Sequence, residues 1–471
     1  MPDAFQPPRP PGAEPPPVPP TGRALNQAFY SREFAVFAIR DNLVQKIGFG
    51  LLVFFTFLMF GRPFDFVLSF LHIPMLAACL GLIAALISRS LRDGLTSNIG
   101  RWLVLYSVWL VLAVPTSYWK GGSVELLTDG WSKSFAFFVI TASLAVTVQH
   151  TIKIMRTMAY AFSFAAILAL LVGITDMGRL TLPQGLYSGA NDLATAMMIG
   201  VVVCWFMVQN PAHGIFRKVL GLLCLVLLIL VMLKTGSRGA LITLIVVTLF
   251  LQEYYSVSKK LFFVTILLVG GFVFALTIPA ELRNRYITLF SGSGEGSISD
   301  SDRIQRIATA GSSNERLYLL LTSLRFTAQR PIFGYGPGQF MTAENELSVR
   351  ANKLKGNWHG THNTYTEISS EAGIPALVFF VLCMLACRKE LKRVEKLCLE
   401  ARQTEKLQEI SIAAVALKML LLAYAVFFMF EHIAYSPFLP SLAGLIFSFS
   451  RAARWELLQL QQPAGAAPAL V

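Results

Sequence analysis

The chain has 471 residues, 55% of them hydrophobic and 14% charged, with a formal net charge of +13 and a mean hydropathy of +0.58. That balance excludes an ordinary soluble globular domain. The Lys and Arg residues sit at the ends of hydrophobic runs rather than along one basic face, which fits the positive-inside rule and argues against a nucleic-acid partner.

Unpaired backbone groups cannot lie in hydrocarbon, and apolar runs of roughly 20 residues without strand-like alternation predict helices rather than a barrel. The fold class expected is therefore an all-α polytopic membrane protein. In chain order, residues 1–44 open with MPDAFQPPRPPGAEPPPVPPTG, which has no signal-peptide h-region and reads as a disordered Pro-rich cytoplasmic tail. Twelve spans follow, near 45–61, 66–88, 102–118, 134–149, 157–175, 191–208, 219–235, 239–254, 261–279, 373–387, 411–431 and 437–450. Basic residues occupy every second connection: Arg89, Arg92 and Arg101, then Lys153 and Arg156, then Arg217 and Lys218, then Lys259 and Lys260. They fall on one side if both termini are cytoplasmic. The charged stretch 388–410 reads as a solvated cytoplasmic helix, and 451–471 as a cytoplasmic tail. Cys79, Cys204, Cys224, Cys383, Cys387 and Cys398 lie in or just after spans and form no disulfide or zinc pattern.

The opposite, outer side carries the chemistry. In KTGSRGALI, Arg238 stands between two apolar runs joined by almost no loop. An arginine there is expensive, by about 2.5–3.5 kcal/mol at a helix centre, and so points to an anionic partner, although a snorkelling interfacial arginine is the simpler alternative. Spans nine and ten are separated by a long connection, 280–372, which is too varied for a linker and predicts a small periplasmic subdomain. Within it Leu317, Leu320, Leu321 and Leu324 recur at helical spacing, Arg316 falls near the start of that helix, and Arg330-Pro331 ends it. PIFGYGPGQF (331–340) follows a helix rather than a strand, so its glycines read as turns and not as a phosphate cradle. Last comes GNWHGTHNTYTEISSEAG with His359 and His362. Their i, i+3 spacing suits a metal, but no Cys or carboxylate at ligand spacing completes a site, whereas one histidine suffices as a general base. Two arginines and a histidine on one face make an anion site beside a base, and guanidinium forks suit a lipid-linked diphosphate.

HNTYTEISSEAG, with His362, Asn363, Tyr365, Glu371 and Gly373, resembles the "H-N-x-Y…E-x-G" signature of the O-antigen ligase and O-antigen polymerase superfamily. TGSRGAL, the Arg316-led helix with PIFGYGPG, and YSGANDLA (187–194) are similar to further family motifs in the same order, over roughly residues 45–450. Thr366 and Ala190 depart from the family's usual leucine and proline, at supporting positions only.

The resemblance implies about twelve transmembrane helices, a long periplasmic loop before the tenth, and a metal-independent, inverting glycosyltransferase of the bacterial inner membrane that needs no cofactor. Its partners would be an undecaprenyl-diphosphate-linked glycan and a lipid or glycan acceptor. By carry-over, Arg238 and Arg316 hold the donor diphosphate and His362 orients or deprotonates the acceptor hydroxyl; Arg179, on the same outer side, is a further donor contact. Ligase and polymerase share this signature, and a protein O-oligosaccharyltransferase would differ only in its acceptor. A transporter or flippase also fits twelve spans, but without a visible internal repeat. Oligomeric state is not encoded in any of these features.

Overall fold

The computed structural model describes residues 43–63, 73–88, 91–176, 178–254, 300–350, 358–401 and 404–460. The Pro-rich tail and the ninth expected span, 261–279, lie outside the described residues. Helices α1 (Leu43–Gly61), α2 (Ile73–Ile87), α3 (Asn98–Ala113), α4 (Ser132–Leu144) and α5 (Val148–Val172) lead into a hairpin of β1 (Ile174–Asp176) and β2 (Arg179–Thr181). Then come α6 (Ala190–Gln209), α7 (Ile215–Lys234), α8 (Arg238–Leu251), α9 (Asp300–Gln329), α10 (Phe340–Arg350), α11 (Thr364–Glu400), α12 (Glu405–Phe427) and α13 (Phe438–Leu460). Seven helices among the described residues are long and apolar enough to cross a membrane: α1, α3 with its one-turn extension to Thr116, α5, α6, α7, α11 and α12. At the other expected positions α2, α4 and α8 are shorter, and α13 carries Arg451, Arg454 and Glu456.

A helix that is apolar all round belongs in the middle of a bundle. That describes α6, whose side chains from Leu193 through Cys204 are all buried. By contrast α2 and α7 leave Leu76, Leu80, Ile83, Leu222, Leu223 and Leu230 about half exposed or more, as helices facing lipid do.

Alternate connections gather at the same end, as the charge distribution predicts. At one end Gln149 and Asn210 both donate to Glu409, at 2.7 and 2.9 Å, and Arg454 reaches Glu390 at 3.4 Å. At the other end Tyr118 N donates to Tyr335 O, Ser123 Oγ to Pro337 O and Tyr187 OH to Phe60 O.

Four expectations need correction. The fifth span, expected to reach 175, stops at Val172, where the chain turns extended at Gly173 into the short hairpin β1–β2, paired Ile174 to Thr181 and Asp176 to Arg179; the all-α class otherwise stands. The charged stretch 388–410 is not one solvated helix. It continues α11 to Glu400 with Leu391, Val394 and Cys398 buried on one face, and a new helix begins after Thr404, whose side chain caps it by accepting from Leu407 N. Residues 451–460 belong to α13 rather than to a tail.

The last correction concerns the outer loop. Its described residues do fold, with Leu319, Phe326, Phe340 and Ala343 packed against Tyr118 and Tyr335. Yet Leu317, Leu321 and Leu324 are exposed, so the stripe read from spacing faces away from this small core. A helix at a membrane edge has two environments that accept apolar side chains, and periodicity alone cannot choose between protein and lipid.

Candidate functional site

The motif that ends in Gly373 is a mechanical joint. Inside α11, Gly373 takes φ 82 and ψ 173, which breaks the helical path just before Pro375. The PIFGYGPG turn closes onto this break: Ile374 N donates to Pro331 O at 2.7 Å, Tyr335 N to Ser370 O at 2.9 Å and Gly336 N to Glu371 O at 2.7 Å. The Glu371 carboxylate accepts from Gly338 N, Phe340 N and Tyr435 OH at 2.7, 3.0 and 2.7 Å. The glycines are therefore turns, as read from sequence, and their function is to seat α9 on α11. Thr327 Oγ1, near the end of α9, meets Ser369 Oγ at 2.8 Å.

One turn earlier the same segment clamps the α12–α13 connection. Asn363 caps α11 by accepting from Thr366 N at 3.1 Å, Thr364 N donates to Phe428 O, Thr364 Oγ1 to Glu431 O and Tyr365 OH to Ala425 O. Glu367 accepts from Ala434 N at 3.1 Å. His362 is held by these anchors at φ 50, a conformation that non-glycine residues seldom adopt and that surrounding structure must impose.

The third element is the turn between α7 and α8. Gly236 at φ 62 and the Ser237 cap, accepting from Ala240 N, make Arg238 the first residue of α8. A cation at that position opposes the helix dipole unless an anion joins it, while the free N–H groups of the first turn offer an anion site. Gly239 lets the turn approach the α12–α13 connection, since a Cβ there would lie 3.0 Å from Phe430.

These elements enclose a cleft of about 320 Å³ lined by Arg238, Arg316, Leu317, Leu320, His362 and Phe430, among others. Three of the four residues singled out from sequence thus share one cavity. Arg316 reaches it from well inside α9, which starts at Asp300, so the helix-dipole penalty expected of a first-turn arginine does not arise. Arg179 does not line the cleft. Its Nε donates to Thr235 O at 2.9 Å and its Nη2 to Asn191 Oδ1 at 2.5 Å, tying the hairpin to the α7–α8 turn and to α6.

His359 is half exposed, and its Nδ1 lies 2.5 Å from Glu315 Oε1, beside Arg316. Exposed pairs of this kind contribute about 0.2–1 kcal/mol. His359→Ala is accordingly expected to keep activity within about fivefold of wild type, a value set by comparing initial rates of the two proteins.

Two residues at the site escaped the sequence reading: Glu431 and His432, from the α12–α13 connection. The His432 ring stands edge-on to His362 with centroids 5.1 Å apart. One ligand-type atom from each of His362, Glu431 and His432 lies within 4.8 Å of the other two. Folding therefore supplies the carboxylate that sequence spacing did not, and this trio is the arrangement that could hold a cation among the described residues. Arg316 and Arg179 act on Glu431 as well, and two fixed positive charges oppose a dication there.

The electrostatics set the resting protonation. Burial, then His432, Arg316, His359 and Arg179, push the His362 imidazolium down to about 3, so the ring is neutral at physiological pH. Burial and Asp192 push the Glu431 carboxyl up to about 8, against the pull of Arg316 and Arg179. Burial and then His359 lower His432. The site thus presents a neutral base, guanidinium cations and a reluctant carboxylate.

Residues 223–381 match the family model described as Wzy_C, O-antigen ligase. The match bears out the superfamily resemblance carried by the motifs, and it spans Arg238, Arg316 and His362 but neither Arg179 nor Glu431. A comparison with curated proteins finds no match. Among solved structures, one from work entitled "Structural coordination of polymerization and crosslinking by a peptidoglycan synthase complex" is similar at 12% identity. It covers 76% of this chain and 98% of its own, with a TM-score of 0.40.

Proposed function

We propose that this chain, whose residues 223–381 match the O-antigen ligase family model, is a membrane glycosyltransferase. It moves a glycan from an undecaprenyl-diphosphate carrier to a lipid acceptor of the lipid A-core type, at the periplasmic face of a bacterial inner membrane. The observation that carries this reading is the cleft in which Arg238, Arg316 and His362 meet. The donor diphosphate lies between the two guanidinium forks and the N-terminus of α8, where each added negative charge is met by fixed donors. The acceptor oxygen attacks the anomeric carbon from the side opposite the diphosphate, which inverts that centre. Its proton passes to His362, and the electron pair of the breaking C–O bond leaves with the diphosphate. Charge neutralisation falls to the arginines, so the reading uses no metal and no cofactor.

An anion between the arginines also strengthens the base. Arg316 and Arg179 both disfavour the His362 imidazolium, and a bound diphosphate cancels that repulsion, so the ring becomes a better proton acceptor once the donor is in place.

The test is transfer from a purified undecaprenyl-diphosphate glycan by wild type and His362→Ala. The variant is expected to lose about a hundredfold in turnover, the lower range for a positioned base, with unchanged thermal melting. Full activity would remove His362 from the chemistry. A polymerase reading shares the donor and differs in its acceptor, a growing sugar chain. Glycan laddering separates the two, because loss of a ligase leaves long unattached polymer and loss of a polymerase leaves single repeats.

A further inference from the structure

The buried group that the mechanism above leaves unused is Glu431. Its residue is 3% exposed, and its carboxylate has no hydrogen-bond donor among the described residues, although its own backbone oxygen accepts from Thr364. One ring nitrogen of His362 lies within 4.8 Å of a Glu431 carboxylate oxygen, and His362 Nδ1 is sealed from solvent with no partner among the described residues. A buried nitrogen without a partner is costly unless a neighbouring group serves it. Because Nδ1 is sealed, proton exchange with a substrate in the cleft falls to the other ring nitrogen, Nε2. A histidine that accepts a proton on one nitrogen needs its other N–H oriented and its charge compensated, and an acid facing that nitrogen is the usual device.

We propose that Glu431 is the positioning residue for His362, taking the hydrogen bond from Nδ1–H, directly or through one water, and balancing the imidazolium that forms when Nε2 accepts the acceptor's proton. The inference rests on the glycosyltransferase reading and deepens it. Bond changes are those of the transfer itself: the acceptor O–H breaks and Nε2–H forms, the acceptor oxygen bonds the anomeric carbon, and the diphosphate departs with its electron pair. Glu431 exchanges no atom with substrate. The groups that face it from the packed elements are His362 before α11, His432 beside it, Arg316 on α9, Arg179 on β2 and Asp192 on α6. The arginines favour its ionised form, whereas burial and Asp192 oppose it.

His432 completes the arrangement by shape. Its ring packs edge-on against His362 and so close to Gly360 that a Cβ there would lie 2.5 Å from it, which limits how far the His362 ring can turn.

The experiment uses full-length protein in nanodiscs, an undecaprenyl-diphosphate glycan as donor, and wild type, Glu431→Gln and Glu431→Asp. Wild-type transfer is the control for the underlying function; if wild type transfers nothing, that reading fails and not this one alone. With wild type active, Glu431→Gln is expected to lower kcat by about tenfold or more with donor KM within twofold, while Glu431→Asp recovers part of the loss. The pH profile adds a readout that a purely structural role would not move. Wild-type kcat/KM should climb to a plateau above about pH 8, where Glu431 ionises, and that limb should vanish in the glutamine variant. Unchanged kcat and an unchanged limb in Glu431→Gln would overturn the proposal. So would loss of wild-type activity on chelation with recovery on adding a divalent metal, because His362, Glu431 and His432 would then be ligands.

Discussion

Arg238→Ala is expected to reduce glycan transfer by about 10²–10³-fold, the usual effect of removing one donor aimed at charge that develops in the transition state. The residue begins α8, where its charge opposes the helix dipole, so it is held there at a standing cost. Removing it should leave thermal stability unchanged or raise it by about 0.3–1 kcal/mol. Lower activity with equal or higher stability is the signature of a residue kept for function. Arg238→Lys should recover only part of the rate, because a lysine restores the point charge without the fork. Arg316→Ala should act alike, and the double variant should lose less than the product of the two, since both would grip one diphosphate. Single-turnover rates with equilibrium donor binding check all four variants. Full transfer activity in Arg238→Ala would remove Arg238 from donor recognition, and a wild type that transfers no glycan but changes its uptake would sink the enzyme reading in favour of transport.

The sequence made the common end of these residues legible, but not their contacts. Charge at alternate connections placed Arg238, Arg316 and His362 on one side, and the cleft bears this out. Arg179 was placed on the same side but turns out to brace Thr235 and Asn191, because an arginine's partners depend on backbone carbonyls that no spacing reveals. The start of α9 was missed for a different reason. Residues 300–315 are mostly polar and hold only Ile304, Ile307 and two alanines as apolar side chains, too weak a period to announce a helix. Glu431 and His432 were invisible because they lie beyond α12 from His362. They meet it only through the hydrogen bonds of Thr364 to Phe428 and Glu431, which are long-range in sequence. Glu371 and Gly373, by contrast, were read as motif letters, and the fold supplies their reason.

That reason carries the second large effect, on folding. Gly373→Ala would place a Cβ 1.9 Å from Ile332 O at φ 82, and Gly336→Ala would place one 1.9 Å from the Ser117 hydroxyl at φ 106. The left-handed conformation alone costs a non-glycine residue about 1–2 kcal/mol, and the facing atoms are a backbone carbonyl in one case and a buried side chain in the other, neither free to retreat. Each substitution is expected to destabilise by about 3 kcal/mol or more, within the range reserved for buried clashes and strain, and to be seen as a lower melting temperature in detergent or as loss of folded protein. Gly50→Ala is the matched control. It lies in α1 with nothing within 4 Å of the added Cβ, so it should leave melting unchanged or improve it by about 0.5–1 kcal/mol. Because the joint seats α9 on α11, and α9 brings Arg316 to the cleft while α11 begins beside His362, any Gly373→Ala protein that does fold should bind donor more weakly before it turns over more slowly. Equal melting temperatures for Gly373→Ala and Gly50→Ala would show that the turn can move aside, and the distance between Arg316 and His362 would then need another explanation than this joint.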